Sequence, residues 1–433
     1  MNTSFGVKKT RRVGLILAFA IGLGVVLLLQ PNFAEAIVNR AHAPFYGAPS
    51  APRTTNYVLL GWNDLGMHCM NENYSNLAVL PPFNTLWAQV VLRGTTPQII
   101  TNSITVDYSI LNNTFSACQS GNCKSNFWQY AQALFGLPSP LPDNVGLDGA
   151  TLSGAMTTSA DHFVIVGVPV TPYRDAPLPY TSTNWYPYQQ AYMTAKDSGT
   201  GTVLIDTTTV APVSTEMRCD TCHADGKDPG GRTGNVETNI LTLHDREEGT
   251  TLMSQRPVLC ANCHASNALG LPGAPGVKNL SNAMHGRHAE ETNNCYLCHP
   301  GQVTRCLRDV MWSKGLTCVN CHGTMADVAN PARRPWIDVP RCGDCHGTNF
   351  AENANTRYRD SVGHGGMYCE ACHGSPHAIL PTIQANDNVQ SIAYQGYPGA
   401  IRSCSVCHTT TPQGAGPHGI TAPSSNFLPW VTK

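Results

Sequence analysis

The sequence predicts two unlike domains: a β-rich, sandwich-like domain over residues 55–213, and a domain over residues 214–433 with short α-helices, many loops and little sheet. Two observations predict this division. Short runs of β-forming residues, separated by turn residues, fill the first segment, as is typical of an antiparallel sandwich. In the second segment the alternation stops and the motif Cys-x-x-Cys-His begins to recur.

The predicted strands of the first domain are short. They span residues 56–62, 86–92, 99–110, 162–170 and 202–210. Turn residues separate them, for example at Gly94–Pro97 and Ser198–Gly201. One short helix is expected near residues 126–135, and the segment shows no longer helical period.

The second domain carries seven copies of Cys-x-x-Cys-His. Their cysteines are Cys219, Cys222, Cys260, Cys263, Cys295, Cys298, Cys318, Cys321, Cys342, Cys345, Cys369, Cys372, Cys404 and Cys407, and their histidines are His223, His264, His299, His322, His346, His373 and His408. This motif is the attachment signal of c-type haem: the two thiols form thioethers and the histidine becomes the proximal ligand of the iron. The ligand pattern of a zinc site does not require a histidine directly after every second cysteine. The sequence therefore predicts seven c-type haems.

The spacing of the motifs predicts how the second domain is built. Successive second cysteines lie 41, 35, 23, 24, 27 and 35 residues apart. About 31 residues per haem are too few to enclose each haem in its own apolar pocket. The haems themselves are therefore expected to form the core, wrapped by short helices and loops. The unequal intervals exclude a regular solenoid.

The N-terminus predicts export. Basic residues precede an apolar run over residues 13–29, and Ala34-Glu35-Ala36 follows it, as in a secretory signal peptide over residues 1–36. The alternative is an uncleaved anchor, which would be the chain's only membrane contact. Residues 37–54 read as a proline-containing linker. The expected location is the periplasm or the outer cell surface.

The net charge of the mature chain argues against nucleic-acid binding. Cleavage after Ala36 removes four of the 27 basic and one of the 28 acidic side chains, which leaves a charge of −4. Seven ferric haems with ionised propionates would bring the total to about −11. Such an acidic protein is a poor partner for nucleic acid or an anionic membrane.

The number of histidines outside the motifs bears on the second axial ligand. Six of them lie in the second domain and are candidate distal ligands: His244, His285, His288, His364, His377 and His418. Seven irons would need seven ligands, so one is missing. His68 of the first domain is the leading candidate. The alternatives are a methionine (Met217, Met284 or Met367), which would raise the reduction potential of its haem, or a position that is open or filled by a neighbouring subunit.

Four cysteines lie outside the motifs: Cys69, Cys118, Cys123 and Cys306. An even number in an oxidising compartment predicts disulfides. We expect a local bridge between Cys118 and Cys123; the alternative is an eighth haem site with Lys124 as ligand. Cys69 and Cys306 are expected to pair between the domains, with free thiols or a thiolate ligand as alternatives.

The second domain resembles the multihaem c-type cytochromes that metal-reducing respiratory bacteria use for periplasmic and extracellular electron transfer. The resemblance covers about half of the chain and rests on the seven motifs and on strings such as Cys298–Cys306, Cys321–Met325 and Cys372–His377. It implies closely spaced bis-histidine haems, with other cytochromes or an outer-membrane conduit as redox partners. The first domain resembles the haem-free domain that some of these cytochromes carry.

The predicted function is electron transfer without a catalytic residue. Two alternatives stay open: a reductase of the nitrite, hydroxylamine or tetrathionate type with one open iron, and a self-assembling subunit of an extracellular filament. Related enzymes commonly mark the active haem with a lysine ligand, and none of the seven motifs ends in lysine. This favours the electron carrier. The haem-free domain is expected to dock a partner or a second copy, or to stabilise the protein.

Overall fold

The computed structural model describes residues 55–223, 235–301 and 303–420. The predicted signal peptide and the predicted linker, which contains His42, lie outside these residues. The described residues belong to one compact unit. Within these three ranges, no helix has the length and apolar character needed to cross a membrane.

The strands occur mainly in the first half of the described chain. They are β1 (Tyr57–Asn63), β2 (His68–Cys69), β3 (Leu77–Ala78), β4 (Leu86–Leu92), β5 (Gln98–Ile99), β6 (Ile104–Ile110), β7 (Cys118–Gln119), β8 (Asn122–Cys123), β9 (Ser153–Ala155), β10 (Thr157–Thr158), β11 (Phe163–Ile165), β12 (Tyr188–Asp197), β13 (Val203–Ser214) and β14 (Val258–Leu259).

The helices are short and lie mainly in the second half. They are α1 (Phe127–Phe135), α2 (Asp220–His223), α3 (Val236–Glu248), α4 (Leu280–His288), α5 (Cys318–His322), α6 (Met325–Val328), α7 (Gly343–His346), α8 (Cys369–His373) and α9 (Ala385–Gln395). Single 3-10 turns cover Ser182–Asn184, Leu252–Ser254, Cys260–Asn262, Cys295–Leu297, Trp312–Lys314, Thr348–Phe350, Tyr358–Asp360, His364–Gly366, Cys404–Val406 and Pro417–Gly419.

Two five-stranded sheets form the β-rich part. One has the order β1-β4-β11-β10 with β5 paired to β4, and the other has the order β2-β13-β12-β6-β9. Leu59 and Val90 of the first sheet and Val106 and Met193 of the second belong to the same buried apolar cluster. The two sheets therefore face each other over one core, and the expected strand-rich first region is confirmed.

The strand pattern deviates from the sequence prediction in several places: the run 162–170 is shortened to β11, seven further short strands were not predicted, and two larger differences follow. The run 99–110 is split into β5 and β6 by a turn in which Ser103 has a φ of +59°. Strand β12 was not predicted. Its buried positions include Ala191, Met193 and Ala195, residue types with weak strand preference, so its alternation carried little signal.

The second part of the chain is loop-rich and poor in buried apolar side chains. Among the described residues beyond Ser214, eight hydrophobic side chains are buried: Leu241, Leu259, Ala261, Leu307, Met325, Ala371, Ala378 and Val406. These are scattered over the whole segment, whereas the β-rich part has a continuous core. Side-chain burial alone is therefore a weak source of stability for this segment.

Helix α9 fixes the second part onto the face of the sandwich. Gln390 Oε1 accepts hydrogen bonds from the backbone N–H of Gly61 at 2.8 Å and from the Thr207 hydroxyl at 3.1 Å. The Tyr394 hydroxyl donates to the carbonyl of Leu59 at 2.7 Å. The contact between the two parts combines these directed hydrogen bonds with a buried apolar cluster that joins Leu60 of β1 to Ala371 and Val406 of the second part.

Arg308 is a fully buried part of this contact. Its side chain is 0% exposed and forms two hydrogen bonds with Asp387, at 2.6 and 2.8 Å. A third hydrogen bond, at 2.7 Å, goes to the carbonyl of Gly66 in the loop after β1. Gly66 has a φ of +74° and a Cβ there would collide with the Pro376 carbonyl, so this close approach requires glycine.

We predict that Arg308→Met lowers the free energy of unfolding by about 3–5 kcal/mol, because it leaves the Asp387 carboxylate buried without its charged partner. Urea titration monitored by circular dichroism measures the loss. Arg334→Met is the matched control, since its ion pair with Asp338 is exposed and its loss should change little. An equal effect of both substitutions would contradict the structural role of Arg308.

Candidate haem sites

The seven motifs fold into the same local structure, one helical turn. We number them as sites one to seven in chain order, beginning with the motifs at Cys219, Cys260, Cys295, Cys318, Cys342, Cys369 and Cys404. In sites one, two, three, five and seven the histidine N–H donates to the carbonyl of the first cysteine at 2.8–3.0 Å. All fourteen motif thiols are free of disulfides. The turn thus keeps both thiols and the imidazole of each motif together.

Six motif histidines face a histidine from outside the motifs. The ring centres of the pairs are separated by 6.2 Å (His223–His288), 6.3 Å (His264–His244), 6.1 Å (His299–His285), 5.9 Å (His322–His377), 5.8 Å (His373–His418) and 6.0 Å (His408–His364). Metal–histidine bonds are about 2 Å long and each ligating nitrogen lies about 1 Å from its ring centre, so two imidazoles on opposite sides of one iron have centres about 6 Å apart. The six pairs fit this requirement.

Hydrogen bonds select the nitrogen that each ring can offer to a metal. Seven of the paired histidines contact a fixed oxygen through Nδ1: His223 with Asn239 Oδ1, His244 with Thr250 Oγ1, and His264, His285, His288, His408 and His418 with the carbonyls of Lys278, Ser281, Met284, Thr95 and Asn349. A carbonyl can only accept, so Nδ1 carries the proton wherever the partner is a carbonyl. This leaves Nε2 for the metal and fixes the ring orientation.

Burial keeps several of these rings uncharged. Loss of solvent lowers the pKa of His299, His322 and His373 to about 4 in each case, and neighbouring histidines add to the effect. It also lowers the pKa of His285 and His377. These imidazoles are therefore neutral at pH 7, which is the form that binds iron.

Site five differs from the other six. In the described part of the chain, no imidazole lies against His346. Next to its first cysteine is a cavity of about 310 Å³ lined by residues that include Arg341, Glu352 and Tyr358. Glu352 accepts a hydrogen bond from the Cys342 N–H at 2.7 Å through one oxygen, whereas its buried second oxygen forms none within the described residues.

His68 is the candidate ligand that the structure does not bring to a motif histidine. Its Nε2, the nitrogen that would bind a metal, lies 3.1 Å from Asp64, and its ring packs against Phe83. Short parallel pairing of β2 with β13 holds it in the sandwich, where it is 6% exposed. His162 is likewise part of the sandwich, stacked on Trp87 at 4.2 Å.

The cysteines outside the motifs divide into a bonded pair and two free thiols. The local Cys118–Cys123 disulfide is confirmed. Lys124 is not available for an eighth haem site, because its ammonium is buried against Asp175 at 2.6 Å. Cys69 and Cys306 are free thiols in this structure, so the expected bridge between them is not formed.

The oxygens that orient the histidines were not identified from the sequence. Two of them could have been: His285 and His288 contact the carbonyls four residues earlier, a regular helix spacing. The others come from distant segments. Among the described residues, no group of three or more His, Cys, Asp or Glu side chains is arranged as a metal site. The histidines described above lie close together only in pairs.

No known protein family, curated protein or solved structure matches this chain.

Glu370, between the cysteines of site six, predicts a pH dependence of stability. Burial raises its pKa well above the ordinary value, Asp64 adds to the rise, and Arg359 opposes it. The carboxyl is therefore protonated in the fold at a pH where the unfolded chain is ionised, and stability is lost as the pH rises above about 4.3. We expect Glu370→Gln to raise Tm at pH 7 by at least about 2 °C, with no difference near pH 4.

The control for this prediction is Glu352→Gln, which should act in the opposite direction. Burial alone would raise the pKa of Glu352, but the hydrogen bond from the Cys342 backbone N–H is the main cause that lowers it overall. Its ionised form stabilises the fold above the unfolded pKa, and this contribution disappears in acid. Thermal melts between pH 4 and 8 measure both variants. Parallel curves for all three proteins would contradict the assignment of Glu370.

Proposed function

We propose that this chain is an exported electron-transfer protein that binds seven c-type haems covalently, a multihaem cytochrome c. The observation that carries the proposal is the pairing of six motif histidines with six histidines from elsewhere in the chain, at centre-to-centre distances of 5.8–6.3 Å. A single pair of this kind could be fortuitous. Six pairs, each containing one motif histidine, support bis-histidine ligation.

The packing of the second part supports the same proposal. Eight scattered buried apolar side chains are few for a segment that has definite turns and tightly positioned histidines. Large apolar groups attached through the fourteen thiols would supply the missing interior. The haem-packed core predicted from the sequence is therefore part of the proposal.

The residues of this chain would tune and position the bound groups. A c-type haem supplies a one-electron ferric–ferrous couple. The motif thiols fix where each group lies, and histidine on both sides favours a lower potential than methionine would. The carbonyls on Nδ1 strengthen the histidines as donors. Redox proteins such as other cytochromes are the proposed partners, at the periplasm or cell surface.

The test is to count the haems and then remove one distal ligand. Mass spectrometry of the mature polypeptide should show the added mass of seven haems. His364→Ala should leave that mass unchanged but convert one low-spin ferric haem to high spin, because His408 loses the imidazole opposite it. Electron paramagnetic resonance measures the conversion as the loss of one low-spin haem per chain.

His68→Ala is the matched control for His364→Ala. His68 is a histidine that contacts Asp64 and Phe83 within the sandwich, so its removal should leave the number of low-spin haems unchanged. A polypeptide without added haem mass would overturn the proposal. Equal spectra of wild-type protein and the His364 variant would overturn the ligand assignment.

A second candidate function is small-ligand chemistry at site five. It is favoured by His346, which has no facing imidazole in the described residues, and by the cavity beside Cys342. We expect one high-spin ferric haem in seven, which cyanide or nitrite converts to low spin at one equivalent per chain. Absorbance titration with electron paramagnetic resonance measures the stoichiometry.

Seven low-spin haems in the untreated protein would contradict an open position at site five. Two further measurements then identify the ligand. A high-spin signal that appears in His42→Ala assigns the ligand to that histidine, and one that appears on dilution of the wild type assigns it to a second copy of the chain. The second result would favour the filament alternative.

A further inference from the structure

Two helices connect the first three sites. Helix α3 carries His244, which faces His264 of site two, and Asn239, whose Oδ1 lies 3.2 Å from Nδ1 of His223 in site one. Sites one and two are therefore neighbours across α3. Helix α4 carries two histidines that face motif histidines: His288 faces the one of site one, and His285 faces the one of site three. Site one thus lies between sites two and three.

The positions of the motif cysteines agree with this arrangement. Cys219 of site one is a neighbour of Cys298 of site three and of Cys260 of site two. Cys222, the second cysteine of site one, is likewise a neighbour of Cys298. The spatial order at this end is two, one, three, which differs from the order of the motifs along the chain.

Site three leads to site four. The Met325 N–H, just after motif four, donates to Asn293 Oδ1, just before motif three, at 3.3 Å. The imidazoles of the two sites also interact: His299 with His377, and His322 with both His299 and His285. The next link joins Cys321 of site four to Cys345 of site five.

The last three sites follow the chain order. His418, which faces His373 of site six, is held by the carbonyl of Asn349, three residues after the histidine of site five. Cys342 of site five interacts with Cys369 of site six. The Ile401 N–H donates to the carbonyl of Cys372 at 2.8 Å, which joins site six to the segment entering site seven.

We infer that the seven sites form one file in the order two, one, three, four, five, six, seven, and that electrons enter and leave at sites two and seven. The inference rests on the proposed function and goes further by naming the two terminal sites. Both terminal sites also contact the sandwich. Next to site two, β14 pairs with β3 directly before Cys260, and at site seven the backbone of His408 forms a β-bridge with Gly94. Because sites two and seven end the file, they are where redox partners should make contact.

The permuted order can be tested by removing one haem at either of two sites. A ruthenium photosensitiser is attached at Thr410→Cys, an exposed position beside site seven, and serves as the electron donor. Deleting site one with Cys219→Ala and Cys222→Ala should leave five haems, those of sites three to seven, that the donor reduces rapidly. The haem of site two would be cut off from the donor by the missing haem of site one. Deleting site two with Cys260→Ala and Cys263→Ala should leave six. Transient absorbance counts the haems reduced in the fast phase.

The two deletions are controls for each other, because each variant lacks one haem. If the file followed the motif order, the counts would be reversed, with six after deletion of site one and five after deletion of site two. That reversal, or equal counts, would overturn the inference. Absence of haem absorbance from every variant would instead overturn the proposed function, so the two failures are distinguishable.

Iron positions in the wild-type holoprotein provide a test that does not depend on the variants folding. Anomalous diffraction or electron cryomicroscopy should place the iron of site two nearest to that of site one. One contact offers a competing route, since Asn267, after motif two, donates to the Pro335 carbonyl, before motif five, at 2.7 Å. An iron of site two that lies nearest to site five or site three would overturn the order.

Discussion

The second half of this protein depends on a shortage: it has too little apolar side chain to bury. Hydrophobic burial is the main favourable term in folding, and eight scattered side chains beyond Ser214 supply little of it. The segment nevertheless has seven similar turns and six histidine pairs of nearly constant spacing. Covalently bound, apolar prosthetic groups satisfy both facts, because they fill the interior and make the imidazole pairs necessary. The proposed haems would thus be structural as much as functional.

The sandwich supplies what the second half cannot provide for itself, a rigid support with its own core. Its contacts with the motif segment combine a shared apolar cluster with directional hydrogen bonds, such as those from Gly61 to the Gln390 amide and from Arg308 to the Gly66 carbonyl. The polar contacts specify orientation more than they add stability. We therefore attribute to the sandwich a scaffolding role within the chain, beside any role in binding partners.

Local patterns predicted local structure well and long-range pairing poorly. Strand β4, helix α1 and the Cys118–Cys123 bridge follow from short-range signals, and the seven motifs indicate where each turn forms. Which histidine faces which motif does not follow, because His377 reaches back to site four and His364 reaches forward to site seven through tertiary contacts. His68 illustrates the same limit, since its role depends on Asp64 and Phe83 rather than on its residue type.

The way the histidines are distributed has a consequence for biogenesis. The histidine that faces site four is His377, which is synthesised after motif six. The histidine that faces site six is His418, near the end of the described residues. If the chain is exported as proposed, the emerging polypeptide therefore could not close these sites one at a time during translocation. The attachment machinery would meet a long, open substrate, and a nonsense mutation even shortly before residue 418 would deprive an upstream site of its partner.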